Sequence, residues 1–338
     1  MQGGALLREC GDPGTALHAA KGGGAWPWEA VLEELRRARA FGLPRLSPAY
    51  PERLARLADA ALLLLVQGHP ELLSQSAVAI VGARAPTAYG RTVAQRLAYE
   101  LARAGLVIVS GLAHGIDAAA HAGALEAGGR TVAVQACGPD QVYPPSHRRL
   151  AARIAETGAL VTEFPPGTPP RAAHFPLRNR MISGLARAVV VVEARQRSGS
   201  LVTARHALDQ GVEVLAVPGP IMTPTSAGPN QLLRDGAVPV LEVEDILRAV
   251  DWPLPERAAE SPGAQEIAAG AALEYELSPG GRRIARALSQ EPATRDELVR
   301  RLNCSAQELA AELLALELEG WVQENRDGRL LWIAPVKL

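Results

Sequence analysis

The sequence predicts an α/β protein whose middle is a doubly wound, mostly parallel sheet, preceded by a small helical segment and followed by a compact C-terminal module. Three observations predict it. Between residues 77 and 250, short β-branched runs alternate with Gly-rich turns and helical stretches, the signature of repeated strand–helix units. Each run is nearly all apolar, as a strand buried on both faces must be. From residue 278 onward the pattern becomes three short helices and a hairpin.

The expected strands are 78–81, 107–109, 131–134, 160–162, 189–192, 214–217 and 237–241. Helices expected between them include 89–104, 116–127 and 201–210. Together they describe a Rossmann-like domain over residues 73–250. Residues 1–72 read as a small helical domain. Helical spacing over 31–40 places Val31, Leu32 and Leu35 on one face, 54–64 is a second candidate helix, and Pro44, Pro48 and Pro51 break the chain between them. Residues 251–277, rich in Pro, Ala, Gly and Glu, read as a linker. In 278–338 the expected helices are 282–288, 294–302 and 305–320. A hairpin of 321–324 and 329–333, turned at Asp327-Gly328, completes a winged helix-turn-helix arrangement.

A chain of 338 residues has room for two or three domains, and 48% hydrophobic residues suffice for a sizeable core. The formal net charge is −1, so any site for a polyanion must come from local clustering of Arg and His. Cys10, Cys137 and Cys304 lie far apart without a CxxC spacing. That argues against zinc or a disulfide framework and for a reducing, cytoplasmic setting. No signal peptide is evident at Met1, and the longest apolar run, 60–66, is too short to span a bilayer.

In an open parallel sheet, ligands bind beyond the carboxyl ends of the strands. The expected post-strand loops pool Arg84, Arg148, Arg149, Arg171, Arg178, Arg180, Arg195 and Arg197 against few carboxylates, chiefly Asp140, Glu163 and Glu193. Ser110-Gly111 and Ser198-Gly199-Ser200 stand just before helices, where backbone N–H groups and the helix dipole receive phosphate oxygens. Phe164 and Phe175 lie among these charges in a protein with only 4% aromatics, and are candidate stacking surfaces for unpaired bases. Gly82 and Gly111 also suit tight strand-to-helix turns. Asp117 and His121, spaced i, i+4, read as a capping and packing pair. GxxxxGK[ST], GxSxG and HExxH motifs are absent, and Gly82-Ala83-Arg84 puts a cation where a dinucleotide motif would have glycine. No cofactor and no catalytic residue is expected.

The motifs resemble one family. Val81-Gly82-Ala83-Arg84 with Pro86, Tyr89 and Gly90 is similar to the first-strand motif of the DNA-processing protein A (DprA, or Smf) family. Ser110-Gly111-Leu112-Ala113-His114-Gly115-Ile116-Asp117, Tyr143-Pro144 and Thr162-Glu163 follow in order. Phe175-Pro176-Leu177-Arg178-Asn179-Arg180 and Ser198-Gly199-Ser200-Leu201-Val202-Thr203-Ala204 come next, and Val217-Pro218-Gly219 and Gly228-Pro229-Asn230 complete the set. The match is dense over residues 75–247. It implies a bacterial protein of natural transformation that binds and protects incoming single-stranded DNA, dimerises and helps load the RecA recombinase. It further implies that Arg84, Ser110, Gly111, His114, Arg178, Asn179 and Arg180 line a phosphate pocket, and that the N-terminal segment corresponds to a helical SAM-like domain. His114 departs from the family, where Lys or Arg is frequent, and His147 stands where Asn is frequent.

Two other readings fit parts of the chain. A phosphoribohydrolase of nucleoside monophosphates has a related fold, but its PGGxGTxxE motif is not matched at 193–204. A transcription regulator would explain a winged helix. Its expected recognition helix, 305–320, carries Glu308, Glu312, Glu317 and Glu319 and no Lys or Arg, the wrong charge for a DNA groove.

Overall fold

The computed structural model describes residues 28–253, 278–290, 293–318, 321–325 and 328–332. The chain divides into two units, residues 1–255 and 256–338.

The first unit begins with helix α1 (Trp28–Arg37), strand β1 (Phe41–Pro44), the four-residue helix α2 (Glu52–Ala55) and strand β2 (Leu63–Gly68). The expected helix over 54–64 is therefore mostly replaced by the approach to a strand. The reason lies in the run Leu62-Leu63-Leu64-Leu65-Val66, which has no polar face to show solvent. Leu64, Leu65 and Val66 are buried, and β2 inserts between β1 and a later strand. Strands β1 and β2, within the expected helical domain, thus extend the sheet, while residues 1–27 lie outside the described residues.

The chain continues through β3 (Ala77–Val81), α3 (Ala88–Arg103), β4 (Val107–Ser110), α4 (Ile116–Glu126), β5 (Thr131–Val134), α5 (Arg148–Thr157) and β6 (Ala159–Thr162). It then forms α6 (His174–Leu185), β7 (Ala188–Val191), α7 (Gly199–Asp209), β8 (Glu213–Ala216), α8 (Ala227–Arg234), β9 (Val238–Pro239) and α9 (Val243–Ala249). The sheet order is β1-β2-β6-β5-β4-β3-β7-β8-β9. From β6 to β9 across the sheet all pairings are parallel; β1 and β2 are antiparallel additions at one edge. All seven expected strands are present, the last reduced to two residues. Alternation along β3 explains its apolar run: Ala77, Ala79 and Val81 enter the core on one face, Val78 and Ile80 the core on the other.

Residues 174–180, expected in a post-strand loop, instead begin the helix α6. Pro176 is compatible because it falls in the first turn, where its missing N–H has no intrahelical acceptor. The chain moves outward from β3 to β4, β5 and β6, then returns through α6 to the other side of β3. This return creates a topological switch point at β3 and β7. Of the expected linker, Trp252 still belongs to the first unit: its ring packs on the α3 side and its Nε1 donates to Ala104 O at 2.9 Å. Residues 254–277 lie outside the described residues.

The second unit comprises α10 (Pro279–Gln290), α11 (Arg295–Leu302), α12 (Ala306–Leu318) and the antiparallel strands β10 (Val322–Glu324) and β11 (Leu330–Trp332). Ile284, Leu288, Leu298, Leu309, Leu313 and Leu330 form its core. A capping box starts α11: Glu297 N–H donates to Thr294 Oγ1 at 3.3 Å, and Thr294 N–H to Glu297 Oε2 at 2.9 Å. The order of elements is that of a winged helix.

Candidate nucleic-acid interface

A cleft of about 350 Å³ opens at the switch point. Its walls are the turn after β3 (Gly82, Ala83, Arg84, Ala85), the segment after β7 with the start of α7 (Arg195, Arg197, Ser198, Gly199, Ser200), and α6 (Phe175, Arg178, Asn179). Gly82 is needed for packing: a Cβ there would stand 2.6 Å from Ile116 Cγ1 and 2.9 Å from Glu193 O. Gly199 has nothing within 4 Å of a Cβ position, so the first turn of α7 faces open space. Ser198 caps that helix, accepting from Ser200 N–H at 3.4 Å, and the two hydroxyls meet at 2.8 Å. Thr225 also lines the cleft. It is 8% exposed, and its Oγ1 has no hydrogen-bond partner among the described residues. Arg84, Arg195 and Arg197 are exposed and make no ion pair among the described residues. Such guanidinium forks beside a helix N-terminus suit phosphate oxygens.

Arg178 has a different role from Arg84. It is 4% exposed, and its Nη1 donates to Gly111 O at 2.7 Å and also to Val134 O, tying together the carboxyl ends of β4 and β5. Its Nε reaches Asn179 Oδ1 at 3.3 Å, and Asn179 Nδ2 donates to Gly199 O at 3.2 Å. Burial pulls the Arg178 pKa down to about 10, opposed by the nearby Asp117 carboxylate, so the guanidinium stays charged at neutral pH. Burial raises the Asp117 pKa, opposed first by Arg178 and then by the N–H groups of Ala113 and Gly111. Those two donate to Asp117 Oδ2 at 3.3 and 3.1 Å. The expected offer of Ser110 and Gly111 to a phosphate is therefore not what the geometry provides. The Gly111 N–H and C=O are both engaged, and Ser110 Oγ is fully buried, donating to Ile80 O at 2.6 Å. These groups are the frame beneath the cleft.

Arg180 leaves the cleft altogether. Two residues along a helix turn the side chain through about 200°, so Arg178 and Arg180 face opposite ways. Arg180 Nε lies 2.9 Å from Asp59 Oδ2, and Nη2 donates to Glu163 Oε2 at 2.6 Å. Burial raises the Glu163 pKa against the opposing pull of Arg180. Glu193, expected to oppose the basic rim, is instead a buried acceptor for Thr87 N–H at 2.9 Å and Thr87 Oγ1 at 2.6 Å.

The aromatic residues are already partnered. The Phe175 ring lies 5.2 Å from the Arg84 guanidinium carbon and 5.9 Å from that of Arg178, with Tyr143 edge-on at 5.6 Å. Phe164 stacks on His174 at 4.3 Å, away from the cleft lining. Half-exposed Tyr143, absent from the expected site, thus stands beside it through the loop after β5. His114 is exposed and meets His147 edge to face at 4.7 Å; His147 Nδ1 lies 2.9 Å from Leu112 O. Arg148 begins α5, exposed and outside the cleft lining. Among the described residues, no group of three or more His, Cys, Asp or Glu could hold a metal, and no helix is long and apolar enough to cross a membrane.

The family model for DNA recombination-mediator protein A matches residues 43–251, which include every wall of this cleft. The chain belongs to that family. A second model, the DprA winged helix domain, matches residues 268–328. The Smf protein of Escherichia coli (strain K12) is 42% identical over 83% of this chain and 74% of its own. Similar solved structures include DprA of Streptococcus pneumoniae, with TM-score 0.65 and 35% identity over 75% of this chain and 88% of that one. DprA of Helicobacter pylori, whose structure concerns its single-stranded DNA binding mode, gives TM-score 0.58 and 30% identity over 64% and 98%.

Proposed function

We propose that the switch-point cleft binds the sugar–phosphate backbone of single-stranded DNA. One observation carries this reading: Arg84, Arg195 and Arg197 stand exposed and without ion pairs among the described residues, around the open first turn of α7. Arginine forks and helix N–H groups recognise phosphate without reading sequence. Membership of a DNA-processing family supports the reading, as does the single-stranded DNA binding of the Helicobacter pylori relative. On this reading the protein protects incoming single strands and helps load RecA during transformation, acting as a dimer. Ile221, Met222 and Leu241 support self-association. They are large, exposed apolar residues in the segments that follow the paired strands β8 and β9.

Fluorescence anisotropy with labelled single- and double-stranded oligonucleotides of equal length tests the cleft. Tighter binding of the single strand is expected; equal binding counts against it, and turnover of a bound mononucleotide would favour the hydrolase reading. RecA loading is checked by assembly of the recombinase on strands coated with single-strand-binding protein, with and without this chain. Sedimentation of an Ile221→Glu/Met222→Glu variant checks the dimer.

A further inference from the structure

We propose that the outer face of α5 is a second phosphate track, onto which a single strand leaving the cleft passes. The inference rests on the single-strand reading of the cleft and extends the same site.

Helix α5 buries Ala151 and Ile154 against Leu112, Ala133 and Leu160. Its opposite side carries Arg149 and Arg153, with Arg148 on the flank at the N-terminal end, all exposed. Arg149 and Arg153 stand one turn apart, about 6 Å along the axis. None of the three makes a hydrogen bond or ion pair with its side chain among the described residues. Some helical arginines are held by a carboxylate three or four residues away, as Arg56 is by Glu52, Arg96 by Glu100 and Arg248 by Asp245; α5 differs in carrying two unpaired arginines one turn apart on one face. On α5 the positions four beyond Arg148 and Arg149 hold Ala152 and Arg153. Glu156, exposed near the far end, is the sole carboxylate on this helix and forms no ion pair among the described residues.

The arrangement is unfavourable for the helix itself. Arg148 and Arg149 occupy the first turn, where the dipole disfavours cations, and Arg149 and Arg153 repel each other at i, i+4. A bound polyanion relieves both. The face is also joined to the cleft. Ala113 lines the cleft; the adjacent His114 meets the ring of His147, and His147 leads directly into Arg148. No aromatic residue lies on α5, so the track would hold backbone phosphates and read no bases.

The test uses the full chain, an Arg149→Glu/Arg153→Glu variant and, as a milder control, Arg149→Gln/Arg153→Gln. Thymidine oligonucleotides of about 6 and about 20 nucleotides bracket the span of a single binding groove. Anisotropy titrations at several salt concentrations give affinity and salt slope. For the longer strand we expect affinity to fall about tenfold in the charge-reversed variant. Its log–log salt slope should shrink by about 1.4, two phosphates at about 0.7 each. The short strand should change by less than about twofold. Equal loss at both lengths, or no loss with the longer strand, overturns the track. Failure of the unaltered protein to bind either strand would instead remove the reading beneath it.

Discussion

Replacing Arg178 by Met isolates what a buried arginine does at the base of the cleft. Methionine keeps an unbranched stem of similar bulk but removes the guanidinium. Gly111 O and Val134 O then lose their shared donor, and buried Asp117 loses the positive charge that opposes its protonation. An orphaned buried acceptor costs about 1–3 kcal/mol, and leaving one partner of a buried ion pair alone costs about 3–5 kcal/mol. The terms overlap, because Asp117 escapes by taking up a proton, so the expected loss is about 3–5 kcal/mol in total. For a unit of this size that corresponds to a fall in Tm of roughly 6–20 °C. Scanning calorimetry of the full chain separates the transition of the first unit from that of the winged helix. Asp117 has a raised folded pKa, so its proton is held more tightly folded than unfolded and stability declines as pH rises. The deficit of Arg178→Met should therefore be smaller at pH 5 than at pH 8. Adding Asp117→Asn should recover part of it, a coupling that a double-mutant cycle measures. A variant that melts within about 2 °C of the parent, yet no longer binds single strands, would refute the reasoning and make Arg178 a ligand contact.

Arg84→Ala should leave the melting curve nearly unchanged and weaken single-strand binding by about 10- to 150-fold, the value of one charge-assisted hydrogen bond; anisotropy titrations check it. His121 is fully buried, its Nδ1 2.7 Å from Thr131 Oγ1, and burial lowers its pKa to about 3. Its proton binds more tightly in the unfolded chain, so stability should fall as pH drops from about 6.5 toward 3, and His121→Gln should flatten that limb of a Tm-against-pH series. Deleting residues 265–338 should leave single-strand affinity within about tenfold of the parent, since exposed Glu308 and half-buried Glu312 and Glu317 make α12 acidic. A larger loss in the same titration would make the winged helix a direct contributor. Purified protein should show neither ATP turnover nor bound NAD, which a coupled ATPase assay and absorbance of the denatured supernatant would reveal.

The sequence by itself determined the parallel sheet, because strands buried on both faces cannot accept polar residues and the runs from Val78 to Val217 are apolar nearly throughout. It also determined which loops face the ligand edge, since parallel strands point their carboxyl ends one way, and the winged helix, whose helices and turn carry their own caps. The apolar run at 62–66 was ambiguous: continuous hydrophobicity has no period, and only an open edge beside β6 made it a strand. The basic rim was legible as a group of arginines but not as individual roles. Arg84, Arg178 and Arg180 look alike in sequence; helix rotation and burial divided them. Arg84 stands at the cleft, Arg178 beneath it on backbone carbonyls, and Arg180 on the opposite side between Asp59 and Glu163. Ser110 and Gly111 were likewise assigned to phosphate by type, whereas their donors are taken by Ile80 and Asp117. Residue type sets what a side chain can bind; which partner is nearest, and whether water can compete, is a property of packing alone.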